Sequence, residues 1–276
     1  MRNASLAALL GALIICHGTG VSSAPNNFAA PAQDAAINLG ELKLVSELPP
    51  ELPRRVLGLA YDGQKLWASV YHTHGRYVTL DPVSLEWTIS DDRKANAVIG
   101  AVAGSFDSPG GLCFVDGKLW VAGSYGDSFG AIDTQDWNVE KVFRGKQRKN
   151  ERASQSYASM AYDGTNLWIA WHLFRYDLPQ SQTQLLLKID PATGKVIEHF
   201  PAPPGLQRDE THALTWDGWR LWHAKGDTLS AIDGGTGRII EQYKLKQLKR
   251  PSGMAWDGQA LWIAEFDGKI WRLPLY

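Results

Sequence analysis

A run of alternating small and large residues, broken by Asp-Gly and resumed at Leu-Trp, recurs five times along the chain. The copies are LGLAYDGQKLWASVY (57–71), GGLCFVDGKLWVAGS (110–124), YASMAYDGTNLWIAWH (157–172), HALTWDGWRLWHAKG (212–226) and PSGMAWDGQALWIAEFDGKI (251–270). A small column, Gly58/Gly111/Ser159/Ala213/Gly253, is followed by Leu59/Leu112/Met160/Leu214/Met254. A second small column, Ala60/Cys113/Ala161/Thr215/Ala255, precedes an aromatic one, Tyr61/Phe114/Tyr162/Trp216/Trp256. Period-two alternation over four or five positions predicts a strand. Asp-Gly between two apolar runs predicts a tight hairpin, because Gly accepts positive φ without a Cβ clash. Leu66-Trp67, Leu119-Trp120, Leu167-Trp168, Leu221-Trp222 and Leu261-Trp262 then mark a second strand.

A third strand follows in every copy, at 77–81, 129–133, 185–190, 229–233 and 269–273. A fourth follows the first four copies, at 85–90, 138–143, 195–200 and 238–244. Turns such as DPATGK (190–195) and DGGTGR (233–238) have the Asp and Gly that turns use. The Trp-to-Trp spacings are 53, 48, 54 and 40 residues. Four-stranded units of this length with a Trp-bearing motif predict the blades of an all-β propeller. The last copy lacks a fourth strand, and GELKLVSE (40–47) is a strand-like run ahead of the first blade. Pairing of 40–47 with 269–273 would close a five-bladed ring and remove a sheet edge. A sixth blade within 91–109 is the alternative, although that stretch has no Asp-Gly or Leu-Trp.

The beginning of the chain has a different character. In MRNASLAALLGALIICHGTGVSSAP, Arg2 precedes an apolar run over 6–16, and small residues end it. This is the anatomy of a secretory signal peptide over 1–24, too short for a transmembrane helix. It predicts a periplasmic or secreted destination, followed by a loose lead-in (25–39) and one propeller domain (40–276). A lipoprotein-type processing site at Cys16 is the lesser alternative, since Ile15 is large where such sites want a small residue. No later run is apolar and long enough to span a membrane. Net charge is −1, from 28 basic and 29 acidic residues, so no basic surplus points to nucleic acid. The basic run RGKQRKNER (144–152) reads as a solvated loop. After cleavage Cys113 alone remains, in a small packing column, which leaves no intrachain disulfide.

Candidate chemistry gathers on one face. The loops between second and third strands, and between blades, are long and varied there, whereas the Asp-Gly hairpins opposite are short and uniform. Function on rigid scaffolds concentrates in variable loops, so the site is expected at the channel mouth on the His-bearing face. His212 stands just ahead of the small column, and Lys225 and Glu265 occupy equivalent positions on adjacent blades. Their two readings are an inter-blade ion pair and a charged pair offered to a ligand. Tyr71, Trp171, His172 and Lys225 are the expected ligand-binding residues. His72, His74 and Asp127 are the candidate ligands of a divalent metal, since imidazole and carboxylate suit zinc or another transition ion. No Gly-x-Ser-x-Gly elbow, His-Glu-x-x-His or phosphate loop is present.

IDPATGKVIEHF (189–200) with GMAWDGQALWIA (253–264) resembles the bacterial secreted and periplasmic propellers of the YVTN/YncE-like, NHL-like and glutamine-cyclotransferase-like group. The resemblance covers nearly all of the mature chain and implies a fold. Plant-type glutaminyl cyclases are similar in having five blades, but their Glu-Gly-Leu motif reads here Leu57-Gly58-Leu59 and Gly110-Gly111-Leu112. Thr211-His212-Ala213-Leu214 and Ala264-Glu265 resemble motifs of the streptogramin (virginiamycin B) lyases, which have seven blades. The second His of those lyases is here Ser252. That resemblance implies His212 as base and Glu265 as a metal ligand.

Two functions follow as expectations. The first is an exported propeller that binds a small molecule, peptide or envelope or extracellular protein at the His-bearing mouth. The alternative is a lyase-, lactonase- or cyclotransferase-type enzyme using His212 and Glu265.

Overall fold

The computed structural model describes residues 37–53, 55–71, 76–89, 98, 102, 109–123, 128–144, 153–175, 183–203 and 211–276. His72, His74, Asp127 and the segment read as a signal peptide lie outside them.

Five four-stranded antiparallel sheets form five blades of a propeller. Blade 1 is β2 (Val56–Tyr61), β3 (Leu66–Val70), β4 (Arg76–Leu80) and β5 (Trp87–Ile89). Blade 2 is β6 (Pro109–Val115), β7 (Lys118–Gly123), β8 (Ser128–Ile132) and β9 (Val139–Arg144). Blade 3 is β10 (Ala153–Tyr162), β11 (Leu167–Arg175), β12 (Thr183–Ile189) and β13 (Val196–Pro201). Blade 4 is β14 (Ala213–Trp216), β15 (Arg220–Lys225), β16 (Thr228–Asp233) and β17 (Ile239–Lys244). Blade 5 is β18 (Pro251–Trp256), β19 (Ala260–Glu265), β20 (Lys269–Pro274) and, as its outer strand, β1 (Lys43–Glu47).

β1 pairs antiparallel with β20 in the register Lys43↔Arg272 to Glu47↔Lys269, and a bridge at Leu39↔Leu275 continues it. The early strand therefore completes the last blade, as the missing fourth strand of the fifth copy requires. A last blade of three strands would leave β20 as an unpaired edge.

The Asp-Gly hairpins use two geometries. In blades 1, 3, 4 and 5 the Asp and the residue three on close the turn, as in Asp62 N→Lys65 O at 3.1 Å. Gly63, Gly164, Gly218 and Gly258 are then the first central residue, at φ 91 to 99°, which favours glycine. This frees the Asp side chain. One oxygen accepts two turn amides and the other accepts the indole of the Trp five residues on, at 2.7–2.9 Å. In blade 2 Asp116 and Gly117 are both central, at φ 50 and 77° as in a I′ turn, and Asp116 makes no such bond among the described residues. The shift of this Asp-Gly by one position is thus a change of turn type.

The core lies between blades. Five apolar clusters each join two neighbouring blades, the Leu-Trp column supplying the largest buried side chains, Trp168, Trp222 and Trp262. Nearer the axis, the small column is a collar. A Cβ on Gly58 would lie 2.2 Å from Gly110 O, one on Gly111 2.6 Å from Met160 N, and one on Gly253 2.4 Å from Leu59 N. Ser159 fills the fourth contact by accepting Leu214 N on its Oγ at 2.9 Å. Adjacent first strands therefore touch backbone to backbone, which only a minimal side chain allows.

Candidate functional site

Just beyond the collar the first strands are bulged. Register shifts fall between Val56 and Gly58, Pro109 and Leu112, Tyr157 and Ser159, and Pro251 and Gly253. A bulge leaves a residue outside the ladder and re-aims it. In these blades the residues are Leu57, Gly110 with Gly111, Ala158 and Ser252, none ionisable. In blade 4 the ladder starts at Ala213↔Ala224, so His212 takes that position and stands opposite Lys225. Of these five positions, only that of blade 4 carries an ionisable side chain.

Strand parity decides what His212 meets. Side chains two apart share a face. Trp168 and Ala170 belong to the apolar interface between blades 3 and 4, so His172 continues that face. Gln184 does the same beyond Leu186 on β12, and is paired with His172 in the ladder. From blade 4, Leu214 is paired with His223, and Lys225 lies two residues further along β15. The apolar seam thus ends in a polar cluster of His172, Gln184, His212, His223 and Lys225.

The cluster is compact and buried. His212 Nδ1 lies 2.6 Å from His223 Nε2, so one ring donates to the other. The His172 and His212 centroids are 4.2 Å apart in an edge-to-face arrangement, and those of His212 and His223 are 4.8 Å apart. Lys225 Nζ donates to Gln184 Oε1 at 2.5 Å. His212 Nε2 and Thr211 Oγ1 are buried with no hydrogen-bond partner among the described residues.

Burial, and after it the Lys225 charge, lowers His172 to about 4. The same two causes, with a contribution from His172, lower His223 to about 3. Burial, then His223, His172 and Lys225, holds His212 well below the ordinary value. All three imidazoles are therefore neutral at pH 7, which makes them acceptors and donors of single protons rather than cations.

Glu265 has other partners. It is buried, and its Oε1 accepts Lys249 N at 2.5 Å and Arg250 N at 3.1 Å. Its Oε2 accepts Trp271 Nε1 at 2.8 Å. This carboxylate ties the blade 4–5 connection to blade 5, and no ion pair joins it to Lys225 or His212 among the described residues. Tyr71 is exposed, with the Arg55 guanidinium 5.1 Å above its ring. Arg250 lies 4.3 Å over Phe266, extending this basic and aromatic patch between blades 5 and 1. Trp171 is half-buried against the blade 2–3 core. Of the expected residues, His172, His212 and Lys225 come together, while Tyr71 and Glu265 belong to the second patch. No three His, Cys, Asp or Glu side chains among the described residues are arranged so as to hold a metal ion.

Two members were not anticipated. Residues 172–183 read as a loop, but β11 runs to Arg175 and β12 begins at Thr183, forming an extended hairpin that carries Gln184. His223 reads as an interior strand residue, and only its parity with Lys225 signals its place.

No family model matches the chain, and no curated protein does. Solved structures do. Selenomethionine-substituted virginiamycin B lyase from Staphylococcus aureus superposes with a TM-score of 0.51 at 15% identity, over 87% of this chain and 100% of that one. Glutaminyl cyclase from Myxococcus xanthus gives a TM-score of 0.59 at 12% identity, over 85% and 96%. At such identities the likeness is one of fold, the β-propeller.

Proposed function

We propose that this chain is an exported binding propeller that holds a small molecule or peptide through an acidic or carbonyl oxygen, at the blade 3–4 end of its channel. The observation that carries the reading is His212 Nε2, buried without a partner among the described residues, beside the Lys225 ammonium. A buried polar atom left unpaired costs about 1–3 kcal/mol, and a ligand atom would recover it. Lys225 supplies positive charge without counter-charge from the imidazoles, which favours an anionic or polarised oxygen. Arg55 and Arg250 add the same sign on the second patch. Export is supported by the N-terminal charge and apolar pattern alone. Isothermal titration of the mature protein with a panel of small carboxylates and their matched primary amides tests the reading. Tighter binding of the acids, lost in Lys225→Met, is expected; equal binding of acids and amides would refute it.

The His212–His223 contact favours a second reading, a lyase-, lactonase- or cyclotransferase-type enzyme. A neutral imidazole hydrogen-bonded to a second one is a competent general base, since the second ring can take up or orient the proton. In this reading His223, rather than Glu265, partners His212. Turnover of a lactone or cyclic ester abolished by His212→Asn, with a rate that falls only well below the ordinary histidine range, would support it.

A further inference from the structure

Blades 5 and 1 carry the same arrangement at the His-bearing end. Arg250 directly precedes β18 and Phe266 directly follows β19, just outside the ladder pair Pro251↔Glu265. Arg55 and Tyr71 hold the same places around Val56↔Val70 in blade 1. The backbones repeat as well: Phe266 N donates to Arg250 O and Tyr71 N to Arg55 O, each at 2.8 Å. In the sequence, the corresponding pairs of the other blades are Ser108 with Ser124, Ser156 with His172, and Glu210 with Gly226. The fold therefore does not require an arginine and an aromatic ring at these places, yet two adjacent blades have both.

The two pairs are joined into one array. Val56 N donates to Phe266 O at 3.2 Å, which ties blade 1 to blade 5. The Arg55 guanidinium lies 5.1 Å from the Tyr71 ring centre and 5.8 Å from that of Phe266, and the Arg250 guanidinium lies 4.3 Å from Phe266. Two cations thus share one ring. A guanidinium stacked on a ring uses its face, which leaves the fork of N–H donors along its edge for an anion. Arg55 and Tyr71 are exposed, and Arg250 and Phe266 are half-buried.

The acids nearby are already engaged. Glu265 accepts the amides of Lys249 and Arg250 and the Trp271 indole, which also fixes the chain where Arg250 leaves it. Asp267 accepts Lys269 Nζ at 2.5 Å. Arg55 makes no ion pair among the described residues. The connections 246–250 and 51–55 bring Lys246, Lys249, Arg250, Arg54 and Arg55 against Glu51 alone. Two like charges held on one ring repel each other, and an anion between their forks removes that cost.

We propose that this array is a second binding site, for the dianion of a phosphomonoester. Two guanidinium forks match its two charges, and the exposed Tyr71 ring offers apolar surface to the group esterified to the phosphate. The site belongs to blades 5 and 1 rather than to the histidine cluster, and it does not depend on the reading given above.

Calorimetric titration of the mature protein at low salt and about pH 7.5, where a phosphomonoester is largely dianionic, tests the assignment. The probes are phenyl phosphate and phenyl sulfate, a monoanion of nearly the same shape. Phenyl phosphate is expected to bind one to one and at least about fivefold more tightly than the sulfate. Arg55→Gln and Arg250→Gln are each expected to weaken it at least about fivefold, and Arg55→Lys, which keeps the charge but loses the fork, at least about threefold. Sedimentation with phosphatidylcholine vesicles containing phosphatidic acid separates two sources of the same chemistry. Vesicle binding that phenyl phosphate displaces assigns the site to a membrane headgroup, and binding of the soluble ester alone assigns it to a free one. Equal binding of the two esters, no heat with phenyl phosphate up to about 10 mM, or full-strength binding in both glutamine variants would each overturn the proposal. The comparison of esters needs no variant, so it holds even where a substitution prevents folding.

Discussion

His212 Nδ1 and His223 Nε2 lie 2.6 Å apart at the end of a largely apolar seam between blades 3 and 4. One hydrogen bond couples two rings that burial keeps neutral, and it leaves the far nitrogen of His212 without a partner among the described residues. An interface built for packing alone would continue the alternation of Trp168, Ala170 and Leu214 with further apolar groups. The polar end is therefore the part of this seam that stability does not explain.

Acidification should destabilise the fold through these histidines. Unfolded histidine titrates near 6.5, whereas His172 and His223 are lowered to about 4 and about 3. The native state binds fewer protons than the unfolded state between those limits, so stability is complete above about 6.5 and falls as pH drops. Urea midpoints from pH 7 to pH 5 should decline with a proton uptake on unfolding that approaches three. His212→Asn should reduce that uptake. A flat profile would contradict the electrostatics of the cluster.

The hairpin aspartates should differ by turn type. Asp257 serves two turn amides with one oxygen and the Trp262 indole with the other. Asn offers only one acceptor, so Asp257→Asn should cost about 1–3 kcal/mol in chemical denaturation. Asp116→Asn should cost less than about 0.5 kcal/mol, since Asn accepts the positive φ of a I′ turn. Equal costs would mean that the indole bond contributes nothing.

The collar should be intolerant of a single methyl. Gly58→Ala would bring Cβ within 2.2 Å of a backbone carbonyl, and the contact cannot relax by side-chain rotation. A loss above about 2 kcal/mol, or failure to fold, is expected. Gly63→Ala, at φ 99° but in open space, should cost only about 1 kcal/mol. The comparison is read from paired thermal melts.

Closure by β1 should carry a large share of cooperativity. Leu42 and Leu48 flank β1 and are buried, Leu42 against blades 4 and 5 and Leu48 against the blade 5–1 core. Leu42→Ala with Leu48→Ala should lose on the order of 4 kcal/mol or more and expose β20 to protease before the inner strands. Unchanged proteolysis would show that the ring closes without β1.

The architecture was legible because its signals are local. Period-two columns, Asp-Gly turns and the missing fourth strand each follow from a few neighbouring residues, and the five-bladed ring closed by the early strand is what they predict. The site was legible where parity alone suffices, as for His212, His172 and Lys225. Gln184 was hidden by a hairpin extension that reads as loop. Glu265 occupies the position equivalent to Lys225, but its partners are backbone amides at 249 and 250, and these depend on the path of a connection rather than on strand periodicity.

The most direct test of the central claim is a two-dimensional ¹H–¹⁵N spectrum of the imidazole nitrogens, recorded at pH 7 with and without the small carboxylates that bind. The account predicts three neutral rings whose tautomers are fixed in the free protein, and a shift of the His212 Nε2 resonance when ligand is added. Rings that titrate near 6.5, or a ligand that leaves His172, His212 and His223 unmoved, would contradict it.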